Sequence, residues 1–113
     1  MILWHSEENF YTKWNEMNLF EQMANIGSEI SRSIKWKEKG NIEISNRAFE
    51  RALELFIFTI SCKKNKFRLK EICRAKECFI DYFIGDNQYG FTKESWMNYF
   101  DHFAIAARNV VKK

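Results

Sequence analysis

Apolar residues recur along this chain at alternating steps of three and four, the spacing that gathers them on one face of an α-helix. The series Phe20, Met23, Gly27, Ile30, Ile34 follows that rhythm. Before it, Asn18-Leu19-Phe20-Glu21 has the form of an N-cap with glutamate at the third helical position. After it, Lys35, Lys37 and Lys39 suit a C-terminal dipole and Gly40 supplies a stop. Together these predict a helix over 18–39. A shorter helix over 7–15 is predicted from Ser6 as a cap, Glu7 and Glu8 in the first turn, and Phe10, Tyr11 and Trp14 on its apolar side.

Three further helices are predicted. Over 42–62, Phe49, Leu53, Phe56 and Ile60 form one stripe with Ala48, Ala52 and Leu55 beside it. Glu43, Arg47, Glu50, Arg51 and Glu54 are placed for ion pairs on the outer side. The run Leu55 to Cys62 also suits β structure, but the helical phase set over Ala48–Phe56 continues through Ile60. A short link, Lys63-Lys64-Asn65-Lys66, leads to a helix over 67–84 with Ile72, Ala75, Phe79 and Phe83 on its seam and Leu69, Cys73 and Ile80 flanking. Gly85-Asp86-Asn87 and Tyr89-Gly90-Phe91 make a turn, and Thr92 caps a last helix over 93–110 with the seam Trp96, Phe100, Phe103, Ala107, Val110. At about 1.5 Å per residue the four long helices are each roughly 27–33 Å long. Similar lengths and short links predict an all-α fold, an up-down-up-down four-helix bundle with a short N-terminal helical segment, in one domain spanning 1–113.

Composition narrows this picture. The 113 residues include no proline and four glycines, which disfavours a turn-rich β fold. Three cysteines, Cys62, Cys73 and Cys78, form an odd set suited to a reducing compartment. The opening segment meets acid too early for a signal peptide, and the longest apolar run falls far short of the ~20 residues of a membrane helix. The expectation is a soluble cytoplasmic protein.

Candidate chemistry is sparse. His5 and His102 are far apart, and Cys73 and Cys78 on one helix would point about 140° away from each other, so no metal is expected. Glu77 and Asp81 are an i,i+4 carboxylate pair without the histidine partners of a di-metal bundle, and Arg74 is placed to pair with Glu77. His102 lies on the helix of Asp101 and Arg108 but away from its seam, a surface position. No glycine-rich phosphate loop is present and no cofactor is expected.

Charge is the feature that departs from background. Between Lys63 and Lys76 stand seven basic residues (Lys63, Lys64, Lys66, Arg68, Lys70, Arg74, Lys76) against one acid, Glu71, although the whole chain carries only +3. Lys66, Arg68 and Lys70 fall near a predicted helix start, where the dipole disfavours cations. Either this is a solubilising edge, or Lys63, Lys64, Lys66, Arg68, Lys70 and Arg74 meet an anionic partner such as RNA, DNA or an acidic protein. A second surface is the row Asn25, Glu29, Arg32, Trp36, whose tryptophan either lies under the N-terminal aromatic segment or meets another subunit. Trp4, Phe10, Tyr11, Trp14, Ile57, Phe58 and Tyr82 exceed what four seams require. A homodimer is therefore expected, with Trp14, Arg32, Trp36, Ile57, Phe58 and Tyr82 at its interface.

The stretch Ala24-Asn25-Ile26-Gly27-Ser28-Glu29-Ile30 with Arg32 and Trp36, followed by Arg74-Ala75-Lys76-Glu77 and Asp81-Tyr82-Phe83, resembles a set of small bacterial and archaeal helical proteins with no assigned activity. More distantly, the four-helix plan resembles HEPN domains, whose active form is an RNA-cleaving dimer. Their signature is an arginine followed four to six residues later by histidine. Here His102 precedes Arg108, and no histidine follows Arg74 within reach, so the resemblance implies a non-catalytic member. The reading is a non-enzymatic interaction protein; the alternatives are an HEPN-like nuclease-related protein, a subunit of a larger enzyme, or a structural partner in a complex.

Overall fold

Helix α2 (Leu19–Glu38) is the element around which the others assemble, packing along α3 (Ile42–Ser61) on one side and α5 (Lys93–Val111) on another. Helix α4 (Leu69–Ile84) packs against α3, and short α1 (Phe10–Glu16) lies on α3 as well. This computed structural model describes residues 10–111, with side chains through residue 109. Trp4, His5, the Ser6 cap with Glu7 and Glu8, the expected helical residues 7–9 and the side chain of Val110 lie outside the described residues. The described residues are all-helical, without a strand, and none of their helices is long and apolar enough to cross a membrane.

The helix ends follow from local chemistry. Asn18 Oδ1 accepts from the Glu21 amide at 2.9 Å while Glu21 Oε1 accepts from the Asn18 amide at 3.3 Å, a complete capping box. Asn41 Oδ1 accepts from the Ile44 amide at 3.1 Å and caps α3. Between these helices Gly40 takes φ +84°, a left-handed conformation that glycine adopts freely. Thr92 Oγ1 accepts from the Ser95 amide at 3.1 Å, and Ser95 Oγ accepts in return from the Thr92 amide at 2.7 Å.

The expected link over 63–66 is instead a 3-10 turn extending over Lys63–Arg68, so α4 starts at Leu69 rather than at residue 67. The turn is held by Asn65, which is buried, and α4 begins without a side-chain cap. A second correction concerns the outer side of α3. Glu43 and Arg47 do pair there, at 2.5 Å. Glu54, however, is buried, and Arg51 turns inward to Glu29 of α2 at 2.5 Å. Glu29 is itself buried and also holds Arg32 at 2.7 Å, so the polar row of α2 is in part an α2–α3 ion bridge.

Most predicted seam residues form the core, while Phe20, Leu53, Ile60 and Ala107 are only partly buried and the α3 flank Ala48, Ala52 and Leu55 is the more deeply buried. Met23, Ile26 and Ile30 of α2 and Ala48, Ala52 and Phe56 of α3 are fully buried, and the two helices pack along each other. Ser45 Oγ donates to the Ser33 backbone carbonyl at 2.6 Å, a hydrogen bond between these two helices. An aromatic chain ties the remaining helices: Phe49 of α3 stacks on Phe83 of α4 with centroids 4.5 Å apart, and Phe79 of α4 meets Trp96 of α5 edge-on at 5.9 Å. Such pairs add about 0.5–1.5 kcal/mol each beyond burial. Lys37 Nζ donates to Phe83 O at 3.1 Å and Lys93 pairs with Glu38 at 3.0 Å, so the C-terminal ends of α2 and α4 meet the start of α5 at one end of the molecule.

Gly27 sets the α2–α5 distance. A Cβ there would stand 2.6 Å from Phe100 Cβ and 2.7 Å from its Cγ, positions that cannot swing away without moving α5. Gly27→Ala gains about 1 kcal/mol of helix propensity but incurs overpacking of roughly 2–3 kcal/mol. The expected net result is a loss of about 1–2 kcal/mol, read as a fall in Tm of about 4 °C per kcal/mol.

Candidate anionic-partner interface

The basic segment leaves α3 at Cys62 and is fixed from beneath by buried polar groups. Asn65 Nδ2 donates to Gln22 Oε1 at 2.8 Å and to Thr59 O at 2.9 Å. Gln22 Nε2 in turn donates to Trp14 O at 2.7 Å, and Trp14 Nε1 donates to Thr59 Oγ1 at 3.0 Å. Cys62 Sγ donates to Asn15 Oδ1 at 2.6 Å. Gln22 and Thr59 are fully buried, and Trp14, Cys62 and Asn65 nearly so. This knot joins α1, α2, the end of α3 and the turn, so the exposed side of residues 63–68 has a defined orientation.

The six basic candidates fall into different environments. Lys64 Nζ donates to the carbonyls of Asn15 and Met17, a cation on the exposed carbonyls ending α1. Arg68 makes a fork onto Glu71, with Nη2–Oε2 at 2.8 Å and Nε–Oε2 at 3.1 Å, and its guanidinium lies 5.8 Å from the Phe103 ring centroid. Arg74 lies over the Tyr89 ring at 6.0 Å, where the sequence suggests pairing with Glu77. Lys63, Lys66 and Lys70 are exposed. The expected row Lys66, Lys70, Arg74 is broken, because Lys66 belongs to the turn and only the other two belong to α4.

Phe67 completes this surface and is absent from the sequence-derived candidates. It is 95% exposed, the most exposed of the large apolar side chains described, and stands between Lys66 and Arg68. Leu69 beside it is 39% exposed. The signal was available: Phe67 precedes the seam residue Ile72 by five positions, about 140° off the buried face. A groove of about 410 Å³ runs beside the turn, with Phe67, Lys64 and Arg68 facing Glu16, Asn18 and Leu19.

Of the interface candidates, Trp14 is buried within the chain, and Phe58 packs against Phe10 and Tyr11 at 5.7 and 5.6 Å between centroids. Tyr82 meets Trp96 edge-on at 6.2 Å, and burial raises its phenol pKa. Trp36 is half-buried, with Lys39 Nζ 5.0 Å from its ring. Arg32 is exposed beyond its pair with Glu29, and Ile57 is 42% exposed. His102, Asp101 and Arg108 are all exposed on α5. The three cysteines are free, and among the described residues no three His, Cys, Asp or Glu side chains are grouped to hold a metal ion.

Comparison of the chain with protein-family models, curated proteins and solved structures gives no match.

Asn65→Ala would strand Gln22 Oε1 in a buried setting, while Thr59 O keeps the Cys62 amide as a donor. A loss of about 2–3 kcal/mol is expected, measured as a lower urea midpoint, whereas the exposed control Lys63→Ala shifts it by under about 0.5 kcal/mol.

Proposed function

We propose that this chain is a non-catalytic cytoplasmic binding protein, an up-down-up-down four-helix bundle with α1 laid against it. Its 63–70 edge docks on single-stranded nucleic acid. The observation that carries this reading is Phe67, fully presented to solvent between Lys66 and Arg68, with Lys63 and Lys70 on the same short segment. A solubilising edge accounts for the lysines but not for the phenylalanine, whose full exposure forgoes roughly 1.5–3 kcal/mol of burial. Stacking on an unpaired base recovers about 1–3 kcal/mol, and ammonium groups alongside neutralise phosphates. An acidic protein would use the charges and leave the aromatic face without a counterpart. The resemblance to HEPN domains, which act on RNA in their active form, points to the same partner class.

Fluorescence anisotropy with labelled oligo-uridine and oligo-thymidine tests this. With three free lysines engaged, log K should fall against log salt with a slope near −2. Phe67→Ala should weaken binding by about 1–3 kcal/mol at every salt concentration, and the triple change Lys63→Glu, Lys66→Glu, Lys70→Glu should abolish it. Undetectable binding at low salt, or binding without a salt slope, overturns the proposal.

The proposal includes pairing of two chains. Its support is the half-exposed apolar surface where α1 meets the end of α3: Tyr11 is 40% and Ile57 42% exposed, and the Tyr11 hydroxyl donates to Ser61 O at 3.5 Å. Light scattering behind size exclusion should give twice the 13.7 kDa chain mass at micromolar concentration, and Ile57→Glu should return it to one. A monomer for the unaltered chain removes this part and leaves the nucleic-acid part standing.

A further inference from the structure

A cavity of about 290 Å³ opens between α4, α5 and the loop joining them. It is separate from the exposed face of the 63–70 segment and plays no part in the function proposed above. Arg74 and Glu71 of α4, Tyr89 and Phe91 of the loop, and Trp96 and Tyr99 of α5 line it. Its walls are fixed before any ligand arrives. Tyr89 N donates to Asp81 Oδ2 at 3.2 Å, and Asn87 exchanges hydrogen bonds with the Phe91 backbone at 2.8 and 3.0 Å. Phe91 then stacks on Trp96 with centroids 4.4 Å apart.

The polar groups of this lining are unequally satisfied. Glu71 takes the Arg68 fork and also accepts from the Tyr99 hydroxyl at 3.2 Å, so its charge is neutralised in place. Burial and the Glu71 charge raise the Tyr99 pKa, which keeps that phenol protonated. Arg74 makes no ion pair with a carboxylate among the described residues, and its guanidinium lies over the Tyr89 ring. Trp96 is 1% exposed and its Nε1–H, which has no acceptor among the described residues, is closed off from the cavity, so the indole backs the wall that Phe91 forms. The cavity thus presents one cation without a carboxylate partner among the described residues, and aromatic walls.

We propose that this cavity binds a small aromatic carboxylate, its ring against Tyr89 and Phe91 and its oxygens on the Arg74 guanidinium. A guanidinium fork matches the two coplanar oxygens of a carboxylate. The volume is at the low end of the ~300–1,000 Å³ typical of ligand pockets, which suits one ring and its substituents.

Benzoate, benzamide and acetate are the probes, titrated into the full chain labelled with 15N and followed by its indole N–H resonances. The Trp96 signal is assigned by its absence in Trp96→Phe, or, if that variant does not fold, by its proximity to aromatic-ring protons of Phe91 in the unaltered chain. Benzoate should shift this signal saturably at millimolar concentration. Benzamide, which lacks the charge, and acetate, which lacks the ring, should each bind at least roughly tenfold more weakly. Arg74→Gln should bring benzoate down to the level of benzamide, and Tyr89→Ala should bring it toward acetate; both changes fall at exposed positions and spare the fold. A Trp96 signal indifferent to benzoate, equal binding of benzamide, or unchanged benzoate binding in Arg74→Gln overturns the proposal.

Discussion

Buried amide groups at the end of α3 impose the constraint on which the rest of this molecule depends. Gln22 and Asn65 each bring two N–H donors and a carbonyl into the interior, where an unmatched polar group costs about 1–3 kcal/mol. They avoid that cost only if Trp14, Thr59 and the start of the turn all arrive in register. An apolar core tolerates small slides between helices, whereas this knot does not. It specifies how α1 lies on α3, where the turn begins, and which side of that turn faces water. The exposure of Phe67 follows, because Asn65 two residues earlier is committed inward.

Much of the helical plan is legible from local signals, because each depends on residues close in sequence. The capping box needs only Asn18 and Glu21, the left-handed stop only Gly40, and the α5 cap Thr92 with its neighbour Ser95. The seams of α4 and α5 are likewise visible as steps of three and four, and Ile72, Phe79, Trp96 and Phe100 are buried accordingly. Phase alone does not reveal the partners of polar residues on a helix. Glu29 has the spacing of a solvent-facing row with Asn25 and Arg32, but Arg51 of α3 reaches it from the neighbouring helix. The turn is hidden for the same reason. Asn65 looks like ordinary loop polarity until Gln22, forty-three residues earlier, is placed beside it.

The basic segment shows how a charge cluster divides once the chain folds. Lys64 is used on the carbonyls closing α1, and Arg68 is held between Glu71 and the Phe103 ring. An N-terminal helical turn bearing cations is unfavourable, but Glu71 sits in the first turn of α4 and offsets both the dipole and Arg68. Counting charges along the sequence therefore overstates what the surface offers a partner. Lys63, Lys66 and Lys70 are exposed and take no part in these contacts, while exposed Arg74 lies over the Tyr89 ring.

Glu71 is the joint between the two regions of this molecule that carry polar chemistry. One of its oxygens serves both Arg68 of the turn and Tyr99 of α5, so the side chain spans from the basic edge to the cavity wall. The distance between α4 and α5 is accordingly maintained by side chains, Phe79 against Trp96 and Tyr99 onto Glu71, with Arg68 of the turn over Phe103. Contacts through long side chains hold helices farther apart than the glycine contact of α2 with α5, where Gly27 lets Phe100 approach the backbone. The same set of helices is thus tight on the α2 side and open on the α4 side. The cavity lies where the aromatic chain needs room to turn from α4 into the loop and back to Trp96.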